Sequence, residues 1–374
     1  MLSKAVFSRP ELSNEVRSKL AFVLLGHLML AGCAQIVGAN FDVELAKGNG
    51  GSGGHAAGGA GGATPKTILA TDDFPFDIEV DDTFVYWTAW GATPGHNVGG
   101  AVRRTRKDGS GPVETIAPGL ADPNRLTLDD TFVYWTNTGT AEVKGSVMRA
   151  PKAGGNAEVL ASDIVFPIGI VVDRSAGFVY FTTHEQTIPT QDIVYRIDVG
   201  SKPPGSKTPF AYVPQGAAIL ALQSTALWGT SDSSGIVWNV PKQDALSVPV
   251  VNPLPLTGIA IPSVNAIAAV EGRLVVNSLG ATDGYVWSIK PPGGATKVSP
   301  CTVGCADVAL DASHAYWADG FTGEVSRAPP DGGPAERIAK VPSVNGVTVD
   351  ADFVYYAQYT LGGVVGRAPK IPSP

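Results

Sequence analysis

The chain repeats itself, and this repeat limits its fold more than any other feature. The unit Ile78-Glu79-Val80-Asp81-Asp82-Thr83-Phe84-Val85-Tyr86-Trp87-Thr88 returns as Leu126-Thr127-Leu128-Asp129-Asp130-Thr131-Phe132-Val133-Tyr134-Trp135-Thr136. Three more copies are Ile170-Val171-Val172-Asp173 with Phe178-Val179-Tyr180-Phe181-Thr182, Val308-Ala309-Leu310-Asp311 with Ala315-Tyr316-Trp317-Ala318-Asp319, and Val347-Thr348-Val349-Asp350 with Phe353-Val354-Tyr355-Tyr356. Two degraded copies fill the middle: Ile219-Leu220-Ala221-Leu222 with Ala226-Leu227-Trp228-Gly229-Thr230, and Ile267-Ala268-Ala269-Val270 with Leu274-Val275-Val276-Asn277. With Tyr86, Tyr134, Tyr180, Leu227, Val275, Tyr316 and Tyr355 as markers, the spacings are 48, 46, 47, 48, 41 and 39 residues. Such a period belongs to four-stranded propeller blades, which cannot bury their apolar faces alone and must stack.

Each unit reads as four short strands. The apolar triplet before the aspartate is the first, and the Phe-Val-Tyr-Trp-Thr run is the second. Gly145-Ser146-Val147-Met148-Arg149-Ala150 is a third strand, and Glu158-Val159-Leu160-Ala161 a fourth. β-branched and aromatic residues on both faces of the second strand predict burial on both sides. The last unit stops after its third strand, at Gly366-Arg367-Ala368-Pro369-Lys370. The piece it lacks stands at the start, where Lys66-Thr67-Ile68-Leu69-Ala70 matches the fourth-strand pattern of Glu114-Thr115-Ile116-Ala117. The expectation is an all-β, seven-bladed β-propeller over residues 66–374, with the N-terminal strand closing the last blade.

The runs Tyr86-Trp87-Thr88-Ala89, Tyr134-Trp135-Thr136-Asn137 and Tyr316-Trp317-Ala318-Asp319 resemble the repeat of YWTD-type propellers, known from lipoprotein-receptor ectodomains. The fourth motif position holds Ala89, Asn137 and Thr183 where that family has aspartate, and only Asp319 matches. The chain is also similar to the lipobox-anchored, glycine-tethered propellers of the myxobacterial envelope, a mostly uncharacterised group. That resemblance implies a cell-envelope location, in the outer membrane of a Gram-negative bacterium, and no known activity.

The first residues support that location. Residues 1–19 carry Lys4, Arg9, Arg17 and Lys19, and an apolar core from Leu20 to Leu30 follows. This is the length of a signal peptide and too short for a comfortable membrane span. The core ends at Leu30-Ala31-Gly32-Cys33, which resembles a bacterial lipobox. The resemblance implies cleavage after residue 32 and lipidation of Cys33, with palmitate among the acyl chains. Two or more acyl chains hold a protein stably to a membrane. Loss of residues 1–32 removes four positive and two negative side chains, taking the net charge from -7 to about -9. Residues 47–64, rich in Gly and Ala, cannot offset the entropy of ordering, so 33–65 reads as a lipidated, flexible tether. His55 within it reads as filler.

The recurring Asp81, Asp129, Asp173, Asp311 and Asp350 fall between first and second strands, where an aspartate can accept backbone N–H bonds. Because they repeat with the fold, they read as turn makers rather than metal ligands. Trp87, Trp135, Trp228 and Trp317 read as packing between blades. In an exported chain Cys301 and Cys305 read as a disulfide, with a redox pair as the alternative. No metal-ligand set or cofactor fingerprint is present, nor any Gly-x-Ser-x-Gly or His-Glu-x-x-His motif. The acidic charge and the absence of Lys/Arg runs argue against nucleic acid.

The loops between second and third strands vary most in length, which marks the recognition face. Trp90, His96, His184, Glu185, Asp232, Asp283, Asp319 and Tyr359 are its candidate ligand residues. His184 beside Glu185 is the weak candidate for acid–base catalysis. The functional expectation is a membrane-anchored binding or scaffold propeller, not catalytic, whose ligand is an envelope protein or a glycan. A hydrolase or lyase with its site at the channel mouth, and a structural part of an envelope assembly, are the alternatives. Oligomeric state is not legible from the sequence.

Overall fold

The computed structural model describes residues 44–45, 67–92, 99–139, 143–188, 191–201, 205–214, 216–231, 235–242, 252–254, 263–278, 284–301 and 304–370. These form seven antiparallel sheets. Blade one is Pro75–Val80, Phe84–Ala89, Gly100–Arg106 and Glu114–Leu120. Blade two is Pro123–Leu128, Phe132–Gly139, Lys144–Pro151 and Glu158–Ile164; blade three is Ile170–Asp173, Phe178–Ile188, Gln191–Asp198 and Thr208–Pro214. Blade four is Ala217–Leu222, Ala226–Ser231, Ile236–Pro241 and Asn252–Pro253; blade five is Val264–Val270, Arg273–Ser278, Gly284–Lys290 and Gly294–Cys301. Blade six is Cys305–Leu310, Ala315–Asp319, Glu324–Ala328 and Glu336–Lys340. Blade seven is Val344–Val349, Phe353–Gln358 and Gly363–Pro369, completed by Ile68–Asp72 from the other end of the domain.

That closing strand pairs as the repeat predicts: Ile68 opposes Gly366, and Thr71 opposes Val364. First strands touch first strands all the way round, and blade seven returns to blade one, so the ring is closed. One addition lies outside the expected domain: Glu44–Leu45 pairs with Lys340 and Ala339 as a fifth strand on blade six. Cys301 and Cys305 form a disulfide joining the last strand of blade five to the first strand of blade six.

The apolar core is distributed over seven interfaces. Each buried cluster draws on two adjacent blades, as where Trp87 meets Tyr355 and Val365, or Trp135 meets Tyr86 and Val102. This follows from second strands that are apolar on both faces, such as Phe84–Ala89, in which Val85 through Ala89 are all buried. Polar bonds sew the inner edges together. The hydroxyls of Thr88, Thr136 and Thr182 donate to carbonyls of the next blade, at Asn124 (2.7 Å), Ile168 (2.9 Å) and Ala218 (2.8 Å). The Thr88 and Thr182 oxygens also accept N–H bonds from Asp77 and Gly169 of their own blades.

The recurring aspartates are turn makers. Asp81, Asp129, Asp311 and Asp350 each accept two backbone N–H bonds with one oxygen and a tyrosine hydroxyl five residues on with the other, at 2.9, 2.6, 2.8 and 2.8 Å. A lysine from the following blade completes the site at four of the five recurring aspartates: Lys152 at Asp81, Lys242 at Asp173, Lys370 at Asp311 and Lys107 at Asp350.

Blade four departs from the sequence alignment by one residue. Ile219 N–H bonds the Thr230 hydroxyl, so Thr230 is the counterpart of Thr88. Trp228 therefore occupies the tyrosine position, not that of Trp87, and its indole N–H bonds Gln223 five residues back, at 2.9 Å. Gly229 stands at the Trp87 position, and Trp238 from the third strand fills the space: a Cβ on Gly229 would lie 2.1 Å from the Trp238 ring.

Candidate functional site

The same register aligns the innermost strands. In four blades the N–H of Asp77, Gly169, Ile219 or Ala266 meets a second-strand Thr or Asn side chain, and strand register puts Arg125, Asp307 and Gly346 at the same level in blades two, six and seven. Two residues on, the level reads Glu79, Thr127, Val171, Ala221, Ala268, Ala309 and Thr348. Charge is thus confined to blades one, two and six, and blades three to five present small or apolar residues.

The charged residues meet. Arg125 donates to Asp77 at 2.8 Å, and the same guanidinium nitrogen lies 3.4 Å from Asp307, so the side chain reaches from blade two to blade six. The second Asp77 oxygen accepts the Leu126 N–H at 2.7 Å, and Asp307 accepts the Val347 N–H at 3.0 Å. Burial works against the Arg125 charge, but Asp307 and Asp77 outweigh it and hold the guanidinium protonated. Among the described residues Glu79 has the Thr348 hydroxyl, at 3.4 Å, as its side-chain partner. It is half-buried. Burial, then the nearby charges of Asp77 and Asp307, push its carboxyl up to about 8. Burial likewise raises Asp307, with Asp77 adding to the effect and Arg125 opposing it. Three carboxyl groups share one cation, and the Glu79 proton relieves part of the excess. Among the described residues no group of three or more His, Cys, Asp or Glu is placed to hold a metal ion.

An aromatic wall stands beside this cluster, where blade seven meets blade one. Trp90 and Tyr359 lie just past the second strands of those blades, and Phe74 and Phe76 lie at the start of blade one. Phe76 stacks on Trp90 with centroids 5.0 Å apart, and Tyr359 meets Trp90, Phe76 and Phe74 edge-on at 5.4, 5.7 and 5.2 Å. Arg125 lies over the Phe76 ring at 5.7 Å, which joins the wall to the charged cluster. Trp90 is buried, whereas Phe74, Phe76 and Tyr359 are half-buried. Phe74 holds a left-handed backbone (φ 52°), as do Asp122 (50°) and Ser343 (54°) at the corresponding junctions. Their carbonyls accept the N–H groups of Trp90, Thr138 and Tyr359. A left-handed φ is unusual for a phenylalanine and costs of order 1 kcal/mol. Here it sets the Phe74 ring against Tyr359.

Among the described residues the structure brings two of the sequence-derived ligand residues together, Trp90 and Tyr359. Asp319 is buried and caps its own turn, accepting the Phe321 and Thr322 N–H groups at 3.0 and 2.9 Å. His184 sits across the ring on blade three. Its Nδ1 lies 3.0 Å from buried Asp192, which also accepts the Gly216 N–H at 2.7 Å. The side chain of Glu185, and all of His96, Asp232, Asp283 and Cys33, lie outside the described residues. Sequence reasoning missed Asp77, Glu79, Arg125, Asp307, Phe74, Phe76 and Asp192. The signal for the first four was present: they are the inner-strand positions where a charge interrupts an otherwise neutral column.

No protein-family model matches the sequence, and neither does any curated protein. Solved structures do resemble it. Virginiamycin B lyase from Staphylococcus aureus is similar at TM-score 0.61 and 15% identity, over 81% of this chain and 97% of the other. A computationally designed protein, Ika8, matches at TM-score 0.53 and 10% identity, over 80% and 99%. The PQQ-bound aldose sugar dehydrogenase from Streptomyces coelicolor matches at TM-score 0.50 and 14% identity, over 68% and 96%. At these identities the likeness is one of fold, and the fold is the seven-bladed β-propeller.

Proposed function

We propose that this chain is an extracytoplasmic ligand-binding propeller of the YWTD-like, lipobox-anchored envelope type, held to the outer membrane through Cys33. Its binding site is the channel mouth at blades six, seven, one and two. The observation that carries the reading is the single aromatic wall of Phe74, Phe76, Trp90 and Tyr359 beside the Asp77–Arg125–Asp307–Glu79 cluster. A few convergent polar groups against an apolar wall are what a small-molecule site requires. At the same two levels of blades three to five the innermost residues are small or apolar, so a ligand entering the mouth is read mainly by one side of it.

A thermal-shift panel of envelope-derived small molecules and glycans tests the site. Ligands that raise the melting temperature of the wild type should lose their effect in Tyr359→Ala. Ligands whose effect survives that change would place binding elsewhere. The anchor has a separate test: labelled palmitate should enter the wild type and not Cys33→Ala, and equal labelling would refute lipidation.

The His184–Asp192 pair favours a second reading, a hydrolase or lyase acting at the same face. A buried carboxylate on Nδ1 orients an imidazole for proton transfer at its other nitrogen. On this reading His184→Asn abolishes turnover and leaves ligand binding in place.

A further inference from the structure

Resting on the site proposed above, we propose that its ligand is an alkylated organic cation, a quaternary or tertiary ammonium with an apolar surface. Two features argue for this class. The first is the wall itself. Three half-buried rings, Phe74, Phe76 and Tyr359, stand together with Trp90 behind them, and an open aromatic face attracts a cation within about 6 Å. A methylated ammonium suits them better than a bare one, because its charge is spread over apolar methyl groups and it gives up less hydration on leaving water.

The second feature is the sign of the field. Asp77 and Asp307 flank Arg125, Glu79 lies near both of those carboxylates, and Asp122 lies close enough to Tyr359 to raise its hydroxyl further above the ordinary phenol range, after burial. Carboxylates outnumber the cation, so the mouth attracts positive charge and repels anions. The carboxyl groups are arrayed around the guanidinium rather than converging on a point, and they satisfy a diffuse cation better than a small ion with strict coordination. Arg125 is engaged by Asp77 and Asp307, which lowers its pull on an anionic ligand.

Binding by this mechanism is linked to protons. The groups acting on Glu79 are Asp77 on its own strand, Asp307 from blade six and the neutral Thr348 from blade seven, and Arg125 from blade two pairs with the two aspartates. With Glu79 protonated the four ionisable groups sum to one negative charge, and with it ionised to two. Cation affinity therefore rises as pH rises from 7 to 9, above the range in which Asp307 ionises, and Glu79→Gln flattens that rise.

Three isosteric probes test the class on the full-length protein by titration calorimetry: choline, neutral 3,3-dimethylbutanol and anionic 3,3-dimethylbutyrate. The expected result is choline binding about tenfold more tightly than the alcohol, a difference of about 1.4 kcal/mol, with the carboxylate weakest. Tyr359→Ala should weaken choline about tenfold, and Tyr359→Phe should restore it, which separates ring loss from misfolding. If the alcohol binds as well as choline and Tyr359→Ala weakens both, the cation class is overturned and the site stands. If the carboxylate binds best, Arg125 rules the mouth and the class is likewise overturned. If choline binds with its preference intact but is indifferent to Tyr359→Ala, the site itself is refuted.

Discussion

The two faces of the disc are built on opposite principles. On one face, four blades repeat the same device: an aspartate that holds its own turn, accepts a tyrosine hydroxyl at Asp81, Asp311 and Asp350, and takes a lysine from the next blade. On the other, the aromatic wall and the Asp77–Arg125–Asp307–Glu79 cluster occur once, gathered on blades six, seven, one and two, with the His184–Asp192 pair across the ring on blade three. A residue present in every blade serves what every blade must do, which is to fold and to join its neighbour. A residue present once is free to serve a ligand. The aspartates that draw the eye in the sequence belong to the first kind, and Asp77, Glu79, Arg125 and Asp307 to the second.

This contrast can be broken by mutation, and the largest effect belongs to the repeated face. Asp311→Ala strands the Lys370 ammonium and the Tyr316 hydroxyl, which both bond Asp311, and frees two backbone donors. A loss of about 3 kcal/mol in unfolding free energy is expected, with ligand affinity unchanged.

The two faces also oppose each other in pH. Lysine partners hold Asp81, Asp173, Asp311 and Asp350 below the usual carboxylate range against the upward push of burial. Their contribution is present above the unfolded value near 4 and lost as pH falls through the lowered values. Glu79 has the opposite sign. Its raised carboxyl favours the folded state fully below about 4.5, and that contribution is lost as pH climbs to about 8. Glu79→Gln should therefore gain stability over the wild type progressively across that window and then level off. Channel solvent reduces the gain from the 1.4 kcal/mol per pH unit of a fully coupled group to about 2 kcal/mol in total. Denaturant melts at pH 5, 7 and 9 read it, and a constant difference would show that Glu79 does not carry the alkaline limb.

A smaller effect is expected at the seams. Thr182→Val removes a hydroxyl shared between the Gly169 N–H and the Ala218 carbonyl, and about 1 kcal/mol should be lost. A neutral outcome would mean that apolar packing alone joins blades three and four.

Most of the fold could be read from the chain because its signals are periodic. The seven units, the borrowed strand Ile68–Asp72 and the Cys301–Cys305 bridge each follow from a pattern repeated or adjacent in sequence. Blade four slipped by one residue because Leu227-Trp228 imitates Tyr-Trp; the hydroxyl of Thr230, not the tryptophan, fixes the register. The site was far less legible. Arg125 and Asp307 meet across the channel from blades two and six, a contact no local pattern announces. His184 found Asp192 across its hairpin, since neighbours along a strand face opposite ways and partners lie on the adjoining strand. Trp90 and Tyr359 were found because loop length pointed to their face, but Phe74 and Phe76 were not, since they stand at the entry to a first strand, ahead of the repeated Ile78-Glu79-Val80 triplet, and resemble ordinary core.

The indole N–H signals of the seven tryptophans give the most direct test of where the molecule binds. With the Trp90 signal assigned by Trp90→Phe, choline should move that signal and leave those of Trp228 and Trp317 in place. Movement of Trp228 or Trp317 with Trp90 unmoved would contradict the assignment of binding to the unrepeated residues.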